Sequence, residues 1–156
     1  MRAVLVAVLT LVLAAPAEAV VVQFRTPSSN IGCIYSTEAT LGGGYIRCDI
    51  LSGLKPTPPR RGCDLDLTGY ELSPRGRATI VCAGDTAVNK RARALRYGAK
   101  WSRGGFTCTS KKIGLRCRNR SGHGFFLSRR HSYRLELETV DLQANSRLSE
   151  GLQKLP

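Results

Sequence analysis

Six cysteines restrict the folds open to this chain more than any other feature of its sequence. They are spread through its middle, without a C-x-x-C pair: Cys33, Cys48, Cys63, Cys82, Cys108 and Cys117. An even number of cysteines in an exported chain is typical of a disulfide framework. Zinc sites favour close cysteine pairs or added histidines, and the chain has only two histidines, neither at such a spacing. We therefore predict three disulfides and no metal site.

The N-terminus predicts export. Arg2 precedes an apolar run over 3–15, and Ala17-Glu18-Ala19 has the small residues of a cleavage site, as in a secretory signal peptide. The run is shorter than the roughly 20 residues that cross a bilayer, so we expect no membrane span. The predicted organisation is a signal peptide over 1–19, a disulfide-stapled β domain over 20–137, and a C-terminal tail over 138–156 that is a frayed helix or disordered. The expected location is extracellular or in the cell envelope.

Short apolar segments separated by glycine, proline and serine predict a mainly β fold. The segments read as strands are 20–25, 31–35, 45–50, 78–82, 106–110, 114–118, 124–128 and 133–137. A proline-rich linker over 55–62 excludes a helix there, and only 86–96 has some helical character. Many short strands at near-regular spacing are typical of a small sandwich or barrel of antiparallel hairpins.

The cysteine pairing is open at this point, because six cysteines allow fifteen connectivities. We favour pairing in sequence order: Cys33 with Cys48, Cys63 with Cys82, and Cys108 with Cys117. A weak internal repeat supports this order, since F-x-T-x-S-x-x-I-G over 24–32 resembles F-x-C-x-S-x-x-I-G over 106–114. Two similar hairpins, each closed by its own disulfide, would produce the repeat. Chance similarity between two glycine-punctuated hairpins explains it equally well.

The positive charge is concentrated in one part of the chain. The net charge is +13, and residues 86–135 contain fourteen Lys and Arg residues but no Asp or Glu. The rest of the expected mature chain has nine basic and ten acidic residues, which sum to −1. Such asymmetry indicates an anionic polymer as partner, either nucleic acid or a cell-wall phosphate polymer. A merely solvated basic face is the commoner alternative.

Part of this positive charge lies at regular spacing on one predicted hairpin. Arg116, Arg118 and Arg120 alternate with other residues, so in a strand they would share one face, with Cys117 on the opposite face. Arginine and lysine donors suit phosphate. The predicted binding residues are Lys111, Lys112, Arg116, Arg118 and Arg120. Aromatic side chains for stacking on unpaired bases are few, and those at 101, 106, 125 and 126 are expected in the core.

Candidate catalytic residues are sparse. His123, between two glycines, is an accessible candidate for a general base in a nuclease-type hydrolase. Such an enzyme needs a second acid or base, from His131, Asp85 or Glu71, and nothing in the sequence brings these together. We therefore expect a non-enzymatic binding or cell-envelope protein without a cofactor. A hydrolase using His123, or an inhibitor of an extracellular enzyme, is the alternative, and no protein partner is identified.

Several longer motifs resemble those of a known family. They are F-x-T-P-S-x-N-I-G-C at 24–33, I-R-C-D-I at 46–50, C-A-G-D-T at 82–86, R-Y-G-x-x-W-x-x-G-G-F-T-C-T-S at 96–110 and G-L-R-C-R-N-R-S-G-H-G-F-F-L-S-R at 114–129. In these stretches the chain resembles a family of small secreted bacterial proteins known only as a domain of unknown function. The resemblance implies an exported, disulfide-bonded single domain, and it supplies no activity or ligand.

Overall fold

Eleven β-strands and no helix make up residues 18–38 and 44–136, which are the residues that this computed structural model describes. The strands are β1 Val21–Arg25, β2 Ile31–Ser36, β3 Tyr45–Ile50, β4 Asp66–Leu72, β5 Thr79–Ala83, β6 Arg93–Ala94, β7 Lys100–Arg103, β8 Phe106–Lys111, β9 Gly114–Asn119, β10 Gly124–Leu127 and β11 Ser132–Leu135. The predicted tail and all but the last two residues of the predicted signal peptide lie outside these ranges. None of the described residues forms a helix that could span a bilayer.

The strands form two sheets, which confirms the prediction of a disulfide-stapled, mainly β fold. The six-stranded sheet has the order β5-β4-β3-β2-β1-β6, and the five-stranded sheet has the order β11-β10-β9-β8-β7. All pairings are antiparallel except that of β1 with the short β6. The five-stranded sheet is therefore a simple meander, in which every turn lies at one of its two ends.

The core lies between the sheets and includes two disulfides. Cys33–Cys48 links β2 to β3, and Cys108–Cys117 links β8 to β9. All four of these cysteines are fully buried, and the Sγ atoms of Cys48 and Cys117 are 4.0 Å apart. The third disulfide, Cys63–Cys82, ties the segment before β4 to β5. The cysteines are thus paired in sequence order, as predicted.

The internal repeat does not extend to equivalent positions in the fold. Ile31 is 4% exposed and packs in the core, whereas Ile113, its counterpart in the repeat, lies in a turn and is 72% exposed. The two parts of the chain that contain the repeat each have one hairpin that is closed by a buried cross-strand disulfide. The residue-by-residue similarity is therefore not structural.

The segment 86–96 contains no helix, so the helical character read from its alanines was wrong. It crosses the outer face of the six-stranded sheet and includes β6. At Gly32, a Cβ atom would lie 2.5 Å from the Cα atom of Val88, so only glycine permits this approach. Tertiary contact with the sheet overrides a weak helical propensity here.

A buried carboxylate holds this segment in place. Asp49 is 1% exposed and accepts hydrogen bonds from two nitrogens of Arg47, at 3.1 and 2.8 Å, and from Thr68 Oγ1 at 3.1 Å. It also accepts one from the backbone N–H of Ala87 at 2.7 Å. Arg47 donates in addition to the Asp85 carboxylate at 2.9 Å. These hydrogen bonds compensate the buried charge of Asp49. They also join the strand of Asp49 to the strand of Thr68 and to the segment that contains Ala87.

Candidate anion-binding surface

The predicted arginine ribbon exists only in part. Arg116 and Arg118 lie on the outer face of β9, opposite Thr109 and Thr107 of β8. Arg116 is exposed, and its guanidinium has no hydrogen bond or ion pair to any other described residue. Leu115 and Cys117 point into the core, as the alternation predicts. One arginine in the middle of the face is therefore available to a ligand.

The other two arginines lie beside turns at one end of the sheet. One of these turns joins β9 to β10, and the other joins β7 to β8. Arg118 is half-buried and donates from Nη1 to the carbonyl oxygen of Gly122. Arg120 follows the end of β9, and its Nε lies 2.5 Å from the point that a Cβ of residue 105 would occupy. Arg118 is therefore held by its own turn, whereas Arg120 is exposed and lies beside Gly105, beyond the end of the strand. The three arginines do not form a continuous row of free cations.

The predicted lysines lie at the opposite end of the sheet, where a groove opens. Lys111 and Lys112 stand in the β8–β9 turn and line a groove of about 730 Å³. The β10–β11 turn forms a second wall, and the β1–β2 turn of the six-stranded sheet forms a third. The basic residues of the groove, all exposed, are Lys111, Lys112, Arg129 and Arg130, with His131 beside them. The groove thus joins two basic turns from one sheet to a turn from the other.

A single serine shapes the second basic turn. The Ser128 hydroxyl accepts hydrogen bonds from the backbone N–H groups of Arg130 at 3.2 Å and His131 at 2.9 Å, and it donates to the His131 carbonyl oxygen at 2.9 Å. Serine in such a turn satisfies backbone donors that would otherwise lack partners. The tight turn leaves the side chains of residues 129–131 exposed to solvent.

Aromatic rings lie inside the groove. Phe126 packs against Tyr133 with ring centroids 5.2 Å apart, and Tyr97 also lines the groove. Tyr97 and Tyr133 are 42% and 44% exposed. Gly114, with φ +151°, leaves room for Phe126, since a Cβ there would lie 2.7 Å from the ring. These rings escaped the sequence analysis because the tyrosines are distant in sequence, and Phe126 was assigned to the core alone.

Carboxylates and free cations are separated between the two sheets. No strand or turn within 100–135 contains an Asp or Glu, and this range contains ten Lys and Arg residues. Most ion pairs of the described residues belong to the six-stranded sheet and its loops, such as Arg47 with Asp49 and Arg60 with Asp66. The four basic side chains of the groove form no ion pair with any described residue. Their positive charge is consequently not neutralised within this part of the chain.

The candidate catalytic residues are not brought together. His123 lies in the β9–β10 turn, half-buried, with Nδ1 3.6 Å from a carboxylate oxygen of Glu136, which also binds Arg77 at 2.9 Å. His131 lies at the other end of β10, in the groove. Asp85 is bound by Arg47 near the six-stranded sheet, to which Glu71 also belongs. None of the three candidate partners therefore lies beside His123 in the fold.

Comparisons with known proteins give one match. The chain matches DUF6636, described as a family of unknown function, over residues 3–135. This match confirms the resemblance read from the motifs. No curated protein and no solved structure shows significant similarity to the chain.

Proposed function

The chain belongs to DUF6636, a family of unknown function, and we propose that it is an exported, non-enzymatic protein that binds an anionic polymer on its five-stranded sheet. The binding surface consists of the basic end groove, with Arg116 as an outlying contact. Export is supported by the N-terminal sequence pattern and by the three disulfides, which persist in oxidising compartments.

One observation carries the proposal: four exposed cations line one groove, and none of the described residues that line it is an Asp or Glu. Elsewhere in the described chain, Arg47, Arg60 and Arg77 are paired with carboxylates, and unpaired arginines such as Arg61 and Arg75 lie outside the groove. Unneutralised cations that converge in a concave site raise the local potential and attract anions. Repulsion among them costs stability, which an anionic ligand would relieve.

The proposed site differs from the predicted set of binding residues. Lys111 and Lys112 stay in the proposed site, and Arg129 and Arg130 join them. Arg116 contributes from the neighbouring face of β9, whereas Arg118 donates to the carbonyl oxygen of Gly122 in its own turn and Arg120 lies at the far end of the sheet. The ligand therefore follows the end of the sheet instead of lying along one strand.

Salt-dependent binding tests this proposal. The oxidised mature protein is titrated with duplex DNA, RNA and a polyol phosphate polymer of the wall type at several salt concentrations. If four phosphates are neutralised, the slope of log K against log[salt] is about −2.8 on single strands and about −3.6 on duplex DNA. RNA integrity is read in the same samples, since cleavage that disappears in His123→Ala would favour a hydrolase instead.

A pair of charge-matched variants locates the site. The groove variant carries Gln at Lys111, Lys112, Arg129 and Arg130, and the control carries Gln at Lys55, Arg60, Arg61 and Arg75, all exposed residues outside the five-stranded sheet. Both variants lose four charges. The proposal expects the groove variant to lose most of the binding and most of the salt slope, and the control to lose little. Equal losses would show attraction by net charge alone and would refute a defined site.

A further inference from the structure

Two exposed tyrosines in the groove suggest what kind of anionic polymer it accepts. Most aromatic side chains of the described chain pack in the core, including Phe24, Tyr35, Phe106 and Phe125. Tyr97 and Tyr133 instead line the groove and are 42% and 44% exposed. Polyanion binding by charge alone needs no such rings. We infer that the groove binds single-stranded nucleic acid, with tyrosine rings stacking on unpaired bases and the basic turns contacting phosphates; this inference rests on the proposed anion-binding function.

The arrangement of rings and cations matches the alternation of base and phosphate. Strands β9 and β10 are neighbours, so the turns that carry Lys111–Lys112 and Arg129–Arg130 lie side by side at one end of the sheet. The ring pair of Phe126 and Tyr133 lies just inside these turns. A nucleotide that places its base on this ring pair therefore has cations within reach of the phosphates on both sides. Proteins that bind single strands combine a basic groove with aromatic platforms in this way.

Other polyanions can contact the cations of the groove but cannot stack on its aromatic rings. Duplex DNA conceals its base faces in the stack, so it offers the tyrosines nothing flat to contact. A polyol phosphate has no ring at all. A sulfated polysaccharide has rings, but they are puckered and carry their charges directly, without a flat face separated from the anion. The size of the groove, about 730 Å³, lies within the range of sites that hold small ligands, so it suits one or two nucleotides and not a rigid helix.

Ring-deleting and ring-retaining variants test this inference. Binding of a fluorescently labelled hexathymidylate is measured by anisotropy for the wild type, for Tyr97→Leu/Tyr133→Leu and for Tyr97→Phe/Tyr133→Phe. We expect the leucine variant to bind at least about tenfold more weakly and the phenylalanine variant to bind nearly as well as the wild type. The phenylalanine variant keeps the contact of ring 133 with Phe126 and should keep the wild-type Tm. The leucine variant loses that contact, so thermal unfolding checks that it is folded at the temperature of the binding assay.

Competition at constant salt then compares ligand classes. Four unlabelled competitors are added at equal concentrations of negative charge. They are hexathymidylate, a twelve-base-pair duplex, inorganic polyphosphate and a sulfated polysaccharide. The inference predicts that the single strand displaces the probe at the lowest concentration and that polyphosphate affinity is equal in the three proteins. If the leucine variant binds hexathymidylate as tightly as the wild type, or if the sulfated polysaccharide competes best, the inference fails while anion binding stands. If no polyanion binds at physiological salt, the proposed function fails as well.

Discussion

Two aspartates that contact the same guanidinium should differ greatly in their effect on stability. Arg47 binds Asp49 at 2.8 Å and Asp85 at 2.9 Å, but the Asp49 side chain is 1% exposed and that of Asp85 is 78% exposed. The paired substitutions Asp49→Asn and Asp85→Asn therefore remove the same charge from the same partner in two environments. The comparison sets a buried carboxylate, which also accepts hydrogen bonds from Thr68 and Ala87, against an exposed one.

The expected magnitudes follow from the hydrogen bonds. Removing one member of a buried ion pair costs about 3–5 kcal/mol, because the partner charge is left uncompensated. Arg47 keeps Asp85 and is 15% exposed, so we expect Asp49→Asn to lie near the lower end, about 3 kcal/mol. An exposed pair such as Arg47 and Asp85 contributes only about 0–1 kcal/mol. In Tm, a loss of about 3 kcal/mol corresponds to about 10–20 °C for a domain of this size.

Urea unfolding followed by tryptophan fluorescence provides the assay. Trp101 is the only tryptophan and packs across the two sheets, with its ring 4.9 Å from that of Phe24 and 5.6 Å from that of Tyr35. Its emission therefore reports the separation of the sheets. A lower midpoint with an unchanged m-value would show a loss of stability without a change in the unfolding reaction. A difference of less than about 1 kcal/mol between the two variants would show that Asp49 does not hold the segment 86–96 on the sheet.

Three further predictions concern the core, one acid and one glycine. Replacing Cys108 and Cys117 by alanine opens a loop with a sequence separation of 9 and should cost about 2–3 kcal/mol in urea unfolding; an unchanged midpoint would contradict this. Burial raises the pKa of Glu71, so its protonation favours the folded state, and this contribution is present at low pH and lost as the pH rises through the folded-state pKa. Glu71→Gln should therefore raise the Tm at pH 7 relative to the wild type, and this gain should vanish at pH 3.5. A larger gain in Tm at pH 3.5 than at pH 7 would contradict a raised pKa of Glu71. Gly114→Ala should cost about 1–3 kcal/mol and weaken ligand binding, because the new Cβ meets Phe126 at φ +151°, and wild-type binding with a wild-type Tm would refute that role.

Much of the five-stranded sheet could be predicted from the sequence because its strands alternate cleanly. Phe106 and Cys108 point inward and Thr107 outward, and the same rule places Leu115 and Cys117 opposite Arg116. Local alternation determines which face a residue occupies. Alternation also supported the predicted Cys108–Cys117 pairing, because both cysteines lie on the same face of one short hairpin.

Strand β4 was not predicted, and the reason is tertiary. Its sequence, Asp66–Leu72, begins with an acid and contains Gly69 at an irregularity in the pairing with β5, so the alternation is weak. The strand forms because Tyr70 stacks on Phe125 across the core and Thr68 binds the buried Asp49. These partners are distant in sequence and give no local signal.

The groove could not be predicted for a similar reason. It combines turns from two sheets, and only the lysines of the β8–β9 turn were identified beforehand. Alternation also could not show that Arg118 binds the Gly122 carbonyl while Arg116 stays free, because backbone carbonyls in turns leave no mark in the sequence. The acid-free composition of 86–135 pointed to the part of the chain that carries the proposed site but not to the groove itself.

Mapping the ligand by NMR distinguishes the end groove from every other basic surface of the protein. Backbone amide shifts of the oxidised protein are followed as hexathymidylate is added at physiological salt. We expect the largest changes in the three turns around the groove, at residues 26–31, 111–114 and 128–133. We expect little change at residues 119–124, the turn at the other end of the sheet that contains His123. Changes concentrated at 119–124, or spread evenly over all basic residues, would contradict the claim that the end groove is the binding site.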